Sequence, residues 1–111
     1  MSRNSAARAF DPVPVFAALG DRTRHALITR LTDGRPRSIA QLCADSDITR
    51  QAVTKHLRAL EHAGLVRSTR VGRERRFAFE PRTVDQLRTY LDTVSQQWDS
   101  ALSRLQRFVE D

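Results

Sequence analysis

Five side chains between residues 50 and 58 are of types that can read a nucleic acid. Arg50 is a long bidentate donor, Gln51 an amide and Thr54 a small hydroxyl. Such groups hydrogen-bond base edges in a major groove. Lys55 and Arg58 add positive charge suited to phosphates. On a helix these five positions share one side, while Val53, Leu57 and Leu60 recur at i, i+4 and i+7 on the other. An ordinary amphipathic surface helix with a solvated polar face has the same periodicity. The surroundings of this face therefore decide between the two readings.

Those surroundings are basic. Residues 49 to 76 carry eight basic side chains (Arg50, Lys55, Arg58, Arg67, Arg70, Arg73, Arg75 and Arg76) and two acids, Glu61 and Glu74. That window holds the whole formal excess of +6, and the rest of the 111-residue chain is neutral. Charge concentrated in one quarter of a chain is what a polyanion-binding face requires, whereas a generally solubilised surface spreads it out.

Catalytic chemistry finds no such concentration. There is no Gly-rich phosphate loop, no His-Glu-x-x-His and no nucleophile elbow, so an enzyme is not expected and no cofactor is called for. The single cysteine, Cys43, cannot close an intramolecular disulfide. It lies on the apolar side of its helix, where a core thiol is favoured over a redox sensor. His56 reads as a packing or phosphate-contact residue, and His25 and His62 as surface histidines. No apolar run approaches the ~20 residues of a membrane span, and the first residues lack the apolar stretch of a signal peptide. A cytoplasmic protein without a membrane partner is the expectation.

The elements that must position the reading face follow along the chain. Residues 1–10 are expected to be a flexible tail. Asp11-Pro12 resembles an N-cap followed by Pro at the first helical position, opening a short helix with Val13, Phe16 and Leu19 that Gly20 ends. Asp21 caps a second helix with Ala26, Leu27, Ile28 and Leu31 on its apolar side. Arg35-Pro36-Arg37 reads as a linker. Ser38 and Gln41 form a capping box for a third helix, and Thr49 caps the fourth, which Gly64 stops. The period then shortens to two. Residues 65–71 and 75–80 flank the Gly72-Arg73-Glu74 turn as a β-hairpin. Thr83 and Gln86 read as a capping box for a last helix over Val84–Val109, 26 residues and ~39 Å long. The expected fold class is mainly α with a small β-hairpin wing, ordered α1-α2-α3-α4-β1-β2-α5. The expected division is a winged helix-turn-helix domain over 11–81 and a dimerisation helix over 82–111.

That last helix repeats apolar residues at nearly heptad spacing: Val84, Leu87, Leu91, Val94, Trp98, Leu102, Leu105 and Val109. A small domain cannot cover a seam that long. A second copy of the chain is expected on it, through Leu87, Leu91, Val94, Trp98, Leu102 and Leu105 together with Val13, Phe16 and Leu19 of the first helix. Trp98 and Phe108 are the expected anchors.

Four stretches carry a family resemblance. LGDRTRHALITRL (19–31), SIAQLC (38–43), QAVTKHLRALEHAGLV (51–66) and GRERRFAF (72–79) resemble, in order and spacing, the ArsR family of winged helix-turn-helix repressors. Bacterial winged-helix proteins of the MarR type share the pattern more loosely. The resemblance implies a cytoplasmic homodimer on an operator of two-fold symmetry. Metal-sensing members carry a Cys-x-Cys pair on the helix before the recognition helix, where this chain has Ser38 and Ala40. Others use His and acids on the last helix, and no His follows His62. Metal sensing is therefore not carried over.

The combined expectation is a sequence-specific, double-stranded-DNA-binding regulator, a homodimeric repressor. Arg50, Gln51 and Thr54 read bases, Lys55 and Arg58 hold phosphates, and the arginines of the wing (Arg70, Arg73, Arg75, with Arg76) grip flanking DNA or enter a minor groove. The effector is unknown: a thiol switch at Cys43, a small apolar molecule at the dimer interface, or no effector are all compatible. The alternative is a winged-helix module for protein association or sequence-neutral DNA architecture.

Overall fold

The computed structural model describes residues 10–44 and 46–110. The expected tail falls outside these residues except for Phe10, which packs against the core. Helix α1 spans Val13–Leu19 and α2 Arg22–Leu31. A two-residue strand, β1 (Arg37–Ser38), leads into α3 (Ile39–Ala44). Helix α4 is Arg50–His62, strands β2 and β3 are Val66–Val71 and Glu74–Phe79, and α5 runs Pro81–Glu110.

The starts of α2, α3 and α4 are set by the side chains expected of them, whereas α1 begins at Val13, one residue after the expected Pro12. The Asp11 carboxylate accepts from Val13 N–H at 3.1 Å and that of Asp21 from Arg24 N–H at 3.0 Å. Thr49 Oγ1 accepts from Ala52 N–H at 3.1 Å. The Ser38–Gln41 capping box forms in both directions: Gln41 N–H donates to Ser38 Oγ at 3.1 Å, and Ser38 N–H to Gln41 Oε1 at 2.8 Å. Each bond satisfies a backbone donor that the first helical turn leaves without a partner.

Three arginines satisfy the opposite ends of the helices, where carbonyls are left over. Arg24 donates through Nε to Ala18 O at 2.9 Å and through Nη2 to Ala17 O at 3.3 Å, at the end of α1. Arg30 donates to Leu42 O and Gln41 O of α3. Arg37 donates to Arg30 O of α2 at 2.6 Å. A cation at a helix C-terminus also opposes the macrodipole. Part of the chain's arginine content is thus structural.

The core gathers one side of each element. Val15, Ala18, Leu27, Ile28, Leu31, Leu42, Val53, Leu57, Leu60, Leu65, Val66 and Phe77 form a single buried cluster. Ala26, expected on the apolar side of α2, is exposed. Cys43 is half-buried against the cluster.

Two expectations are corrected. The sheet has three strands in the order β1-β3-β2, with Arg37 opposite Phe77 and Ser38 opposite Arg76. Arg37, read as linker, therefore belongs to a strand; two residues are too few to show an alternation. Second, α5 begins at Pro81, not Val84, and Thr83 caps nothing. Its hydroxyl donates to Gly64 O at 2.6 Å, while the Glu80 carboxylate accepts from Arg82 N–H at 3.1 Å. Pro at the first position and an acid just before it make a sufficient start, and the buried Thr83 is free to bind across to α4. At 30 residues, α5 is ~45 Å long.

Candidate nucleic-acid interface

Helix α4 is anchored by its back. Val53, Leu57 and Leu60 are 0% exposed, packed where α4 meets α2 and α3. Arg50, Gln51, Lys55 and Arg58 are exposed and Thr54 is half-buried. These five side chains line one shallow surface recess. The Thr54 hydroxyl donates back to Arg50 O at 2.8 Å, which leaves its oxygen free to act as an acceptor only. The preceding helix α3 packs against α4, and the turn between them brings Ile48 onto the core. This is a helix-turn-helix with its second helix presented to solvent.

His56 belongs to the body of the protein and not to the reading face. Its Nδ1 lies 3.5 Å from Arg24 Nη1 and 3.9 Å from Asp21 Oδ2. The Asp21 carboxyl is held below the usual carboxylate range, first by the Arg24 backbone N–H it accepts and then by the charges of Arg24 and His56. The triplet ties α4 to the start of α2.

The wing stands beside α4. Strands β2 and β3 pair from Val66–Phe79 to Val71–Glu74, leaving Gly72-Arg73 as the loop. Gly72 has φ +64°, the left-handed conformation that such a two-residue turn demands. Strand parity then sorts the side chains. Ser68 and Arg70 share a face with Arg75 and Phe77; Arg67, Thr69, Glu74 and Arg76 share the other. A second cleft, between α4 and the wing, is lined by Thr54, Arg58, Glu61, His62, Arg75 and Phe77 among others.

The four wing arginines are not equivalent. Arg75 Nη1 donates to Ser68 Oγ at 2.9 Å, and Ser68 Oγ–H donates to Glu61 Oε2 of α4 at 2.8 Å. Arg76 Nε donates to Glu74 at 2.9 Å. Arg70 and Arg73 are exposed and make no hydrogen bond or ion pair among the described residues. The sequence reading missed Glu61 and Ser68. The parity of the hairpin, counted outward from Gly72-Arg73, was the signal that would have placed Ser68 beside Arg75.

The residues expected to meet a second copy divide into two groups. Leu19 and Leu87 are half-buried against the protein's own core. Val13, Phe16, Leu91, Trp98, Leu102 and Leu105 are exposed, as are Phe108 and Val109, and Val94 is half-buried. Phe16 of α1 meets Tyr90 of α5 edge-to-face, ring centroids 6.3 Å apart, so α1 and α5 offer a joint surface. Among the described residues, no three His, Cys, Asp or Glu side chains come together as metal ligands, and no helix is long and apolar enough to cross a membrane.

A helix-turn-helix whose second helix turns Arg, Gln, Thr and Lys outward, flanked by a basic hairpin, defines a winged-helix DNA-binding protein. The comparisons agree. The helix-turn-helix domain family matches residues 19–69. The chain is 33% identical over 99 residues to the HTH-type transcriptional regulator Rv2034 of Mycobacterium tuberculosis, covering 89% of each chain. It is similar to the structure of an ArsR-like transcriptional regulator from Rhodococcus sp. RHA1, with a TM-score of 0.78 and 35% identity over 86% of this chain and 90% of that one. The fold also matches the homodimeric winged helix-turn-helix DNA-binding domain of Mb0332 from Mycobacterium bovis, TM-score 0.61 and 21% identity, covering 77% and 78%. The protein belongs to the ArsR family of winged helix-turn-helix transcriptional regulators.

Proposed function

We propose that this regulator acts as a cytoplasmic homodimeric repressor that binds a near-palindromic operator. The observation that carries this reading is the single recess formed by Arg50, Gln51, Thr54, Lys55 and Arg58 on a helix whose back is locked in the core. Two copies of α4 enter successive major grooves, with half-sites about 10 base pairs apart or a multiple of that. Arg50, Gln51 and Thr54 read base edges; Lys55 and Arg58 hold phosphates. Arg70 and Arg73 extend the grip to flanking backbone. The uncovered apolar faces of α1 and α5 supply the dimer contact, as the homodimeric Mycobacterium bovis relative supports. Release follows from any event that favours a different spacing of the two α4 helices.

The test is binding to the DNA upstream of the protein's own gene, in a salt series with excess random-sequence competitor. A regulator of this kind keeps a preferred site ~10³-fold or more tighter than random DNA. Its affinity falls steeply with salt as phosphate contacts release counterions. Loss of all preference under competitor, repeated in a genome-wide binding selection, would make it an architectural protein instead.

A further inference from the structure

We infer that Glu61 and Ser68 form a holdback for Arg75: they keep this arginine off the DNA backbone and tie the wing to the recognition helix. The inference rests on the reading of α4 and the wing as a DNA-binding face.

Arg75 sits directly opposite Arg70 in the hairpin register, and like charges in that position repel. Arg75 relieves the repulsion by turning back along its face to Ser68, its diagonal neighbour. The Ser68 hydroxyl is used in both directions, accepting from Arg75 at 2.9 Å and donating to the Glu61 carboxylate at 2.8 Å. Both bonds involve an ionised partner and are stronger than neutral ones. The relay is solvent-exposed and joins β3 to β2 and β2 to the last turns of α4, so it bridges the wing and the recognition helix.

An acid in the middle of a basic face costs affinity for any polyanion. Glu61 is one of two acids in the basic window 49–76, and both engage wing arginines: Glu61 through Ser68, and Glu74, on the other face of the hairpin, directly with Arg76. An arginine bound to the backbone strengthens binding to every sequence alike. Holding Arg75 back therefore lowers random-sequence binding without touching base readout. Arg70 and Arg73 carry the backbone contacts of the wing, while Arg75 is a positioning residue.

The salt dependence of binding to a duplex of arbitrary sequence counts backbone contacts, at a slope of ~0.9 per phosphate neutralised. Arg73→Ala is expected to flatten the slope by about that amount per bound subunit. Arg75→Ala is expected to leave it at the wild-type value. Ser68→Ala leaves every charge in place and breaks the relay, so it is expected to steepen the slope by ~0.9 per subunit as Arg75 reaches a phosphate. Ser68→Thr keeps the hydroxyl and is expected to restore the wild-type slope. Glu61→Ala should steepen the slope like Ser68→Ala, and Glu61→Ala with Arg75→Ala should bring it back. A slope that Arg75→Ala flattens as much as Arg73→Ala does overturns the inference. So does an unchanged slope in Ser68→Ala. Failure of the wild-type protein to bind any duplex would sink the DNA-binding reading itself, which separates the two failures.

Discussion

The Thr83 hydroxyl donates to the Gly64 carbonyl at 2.6 Å, and a Cβ on Gly64 would stand 2.9 Å from that same Thr83 oxygen. This contact joins the end of α4 to the first turn of the long helix α5. Gly64 also has φ +79°, which only glycine adopts freely. Its neighbours close the helix end: Gly64 N–H donates to Glu61 O at 3.0 Å and Leu65 N–H to Leu60 O at 2.9 Å. Gly64→Ala therefore meets both a backbone penalty of ~1–2 kcal/mol and a collision with a buried side chain. We expect a loss of at least that much in urea unfolding. Thr83→Val keeps the branched shape and removes the donor, and should cost about 1–3 kcal/mol for the carbonyl left without its partner.

Helix α3 has six residues, too few to stand without tertiary support and capping. Ser38 is buried and serves both directions of its capping box. Ser38→Ala should destabilise the protein by about 1 kcal/mol, up to 2. Hydrogen exchange provides the local check. The Gln41 amide, which donates to Ser38 Oγ, should lose protection before the amides of α4 do.

The two parts of the α4 face should separate under mutation. If Gln51 reads a base as proposed, the preferred sequence that Gln51→Ala recovers from a randomised duplex pool should relax at one position in each half-site. The loss per base pair is about 1–3 kcal/mol of discrimination. Arg58→Ala should weaken binding to preferred and random duplexes alike and reduce the salt slope. An unchanged sequence preference in Gln51→Ala would remove this residue from the reading set.

Much of this was legible in the sequence where physics is local. The caps at Asp21, Ser38 and Thr49, the apolar back of α4 and the Gly72 turn depend on residues within a few positions of each other. What stayed hidden depends on partners far along the chain. Thr83 reads as a cap because Gln86 follows at the right spacing, yet its hydroxyl finds Gly64, 19 residues back. Strand β1 exists only because β3 offers it an edge. Arg24 and Arg30 look like surface charge until their carbonyl partners on α1 and α3 are known. At the interface itself, all four wing arginines look alike in sequence, and only the hairpin register and the approach of Glu61 distinguish them.

The Asp33 carboxyl has its pKa lowered from 3.8 to about 2, chiefly by the hydrogen bond from the Arg37 guanidinium at 2.8 Å and then by Arg35 N–H at 2.9 Å. A carboxyl with a depressed folded-state pKa stabilises the fold above its ordinary value and loses that contribution as pH falls through the folded value. The window here runs from near pH 4 down to about pH 2. Since the Asp33 carboxyl is solvent-exposed, its contribution is small. Stability curves of the wild type and Asp33→Asn should differ above that window and converge below it. A carboxyl NMR titration placing Asp33 at its ordinary value would remove the effect.

The apolar residues of α5 make two different predictions according to which body they touch. Only Thr83 of this helix is buried. Val84 and Leu87 in its first turns pack against the core, and beyond them Leu91, Trp98, Leu102, Leu105 and Val109 form one exposed stripe. Trp98 is 64% and Leu102 57% exposed, far more than a lone chain gains from at those sizes. If a second copy covers the stripe, Trp98→Ala or Leu102→Ala should each cost about 2 kcal/mol or more of association, ~30-fold in dimer dissociation constant. Sedimentation would show the shift towards monomer, and affinity for a two-half-site duplex should fall with it. The fold of each subunit should survive, because these side chains contribute little to its core. Leu87→Ala should behave in the opposite way, lowering unfolding stability by about 2 kcal/mol through a partial cavity. Its effect on dimerisation should be smaller than that of Trp98→Ala. Equal dimerisation constants for the wild type, Trp98→Ala and Leu102→Ala would show that the stripe is not where two copies meet.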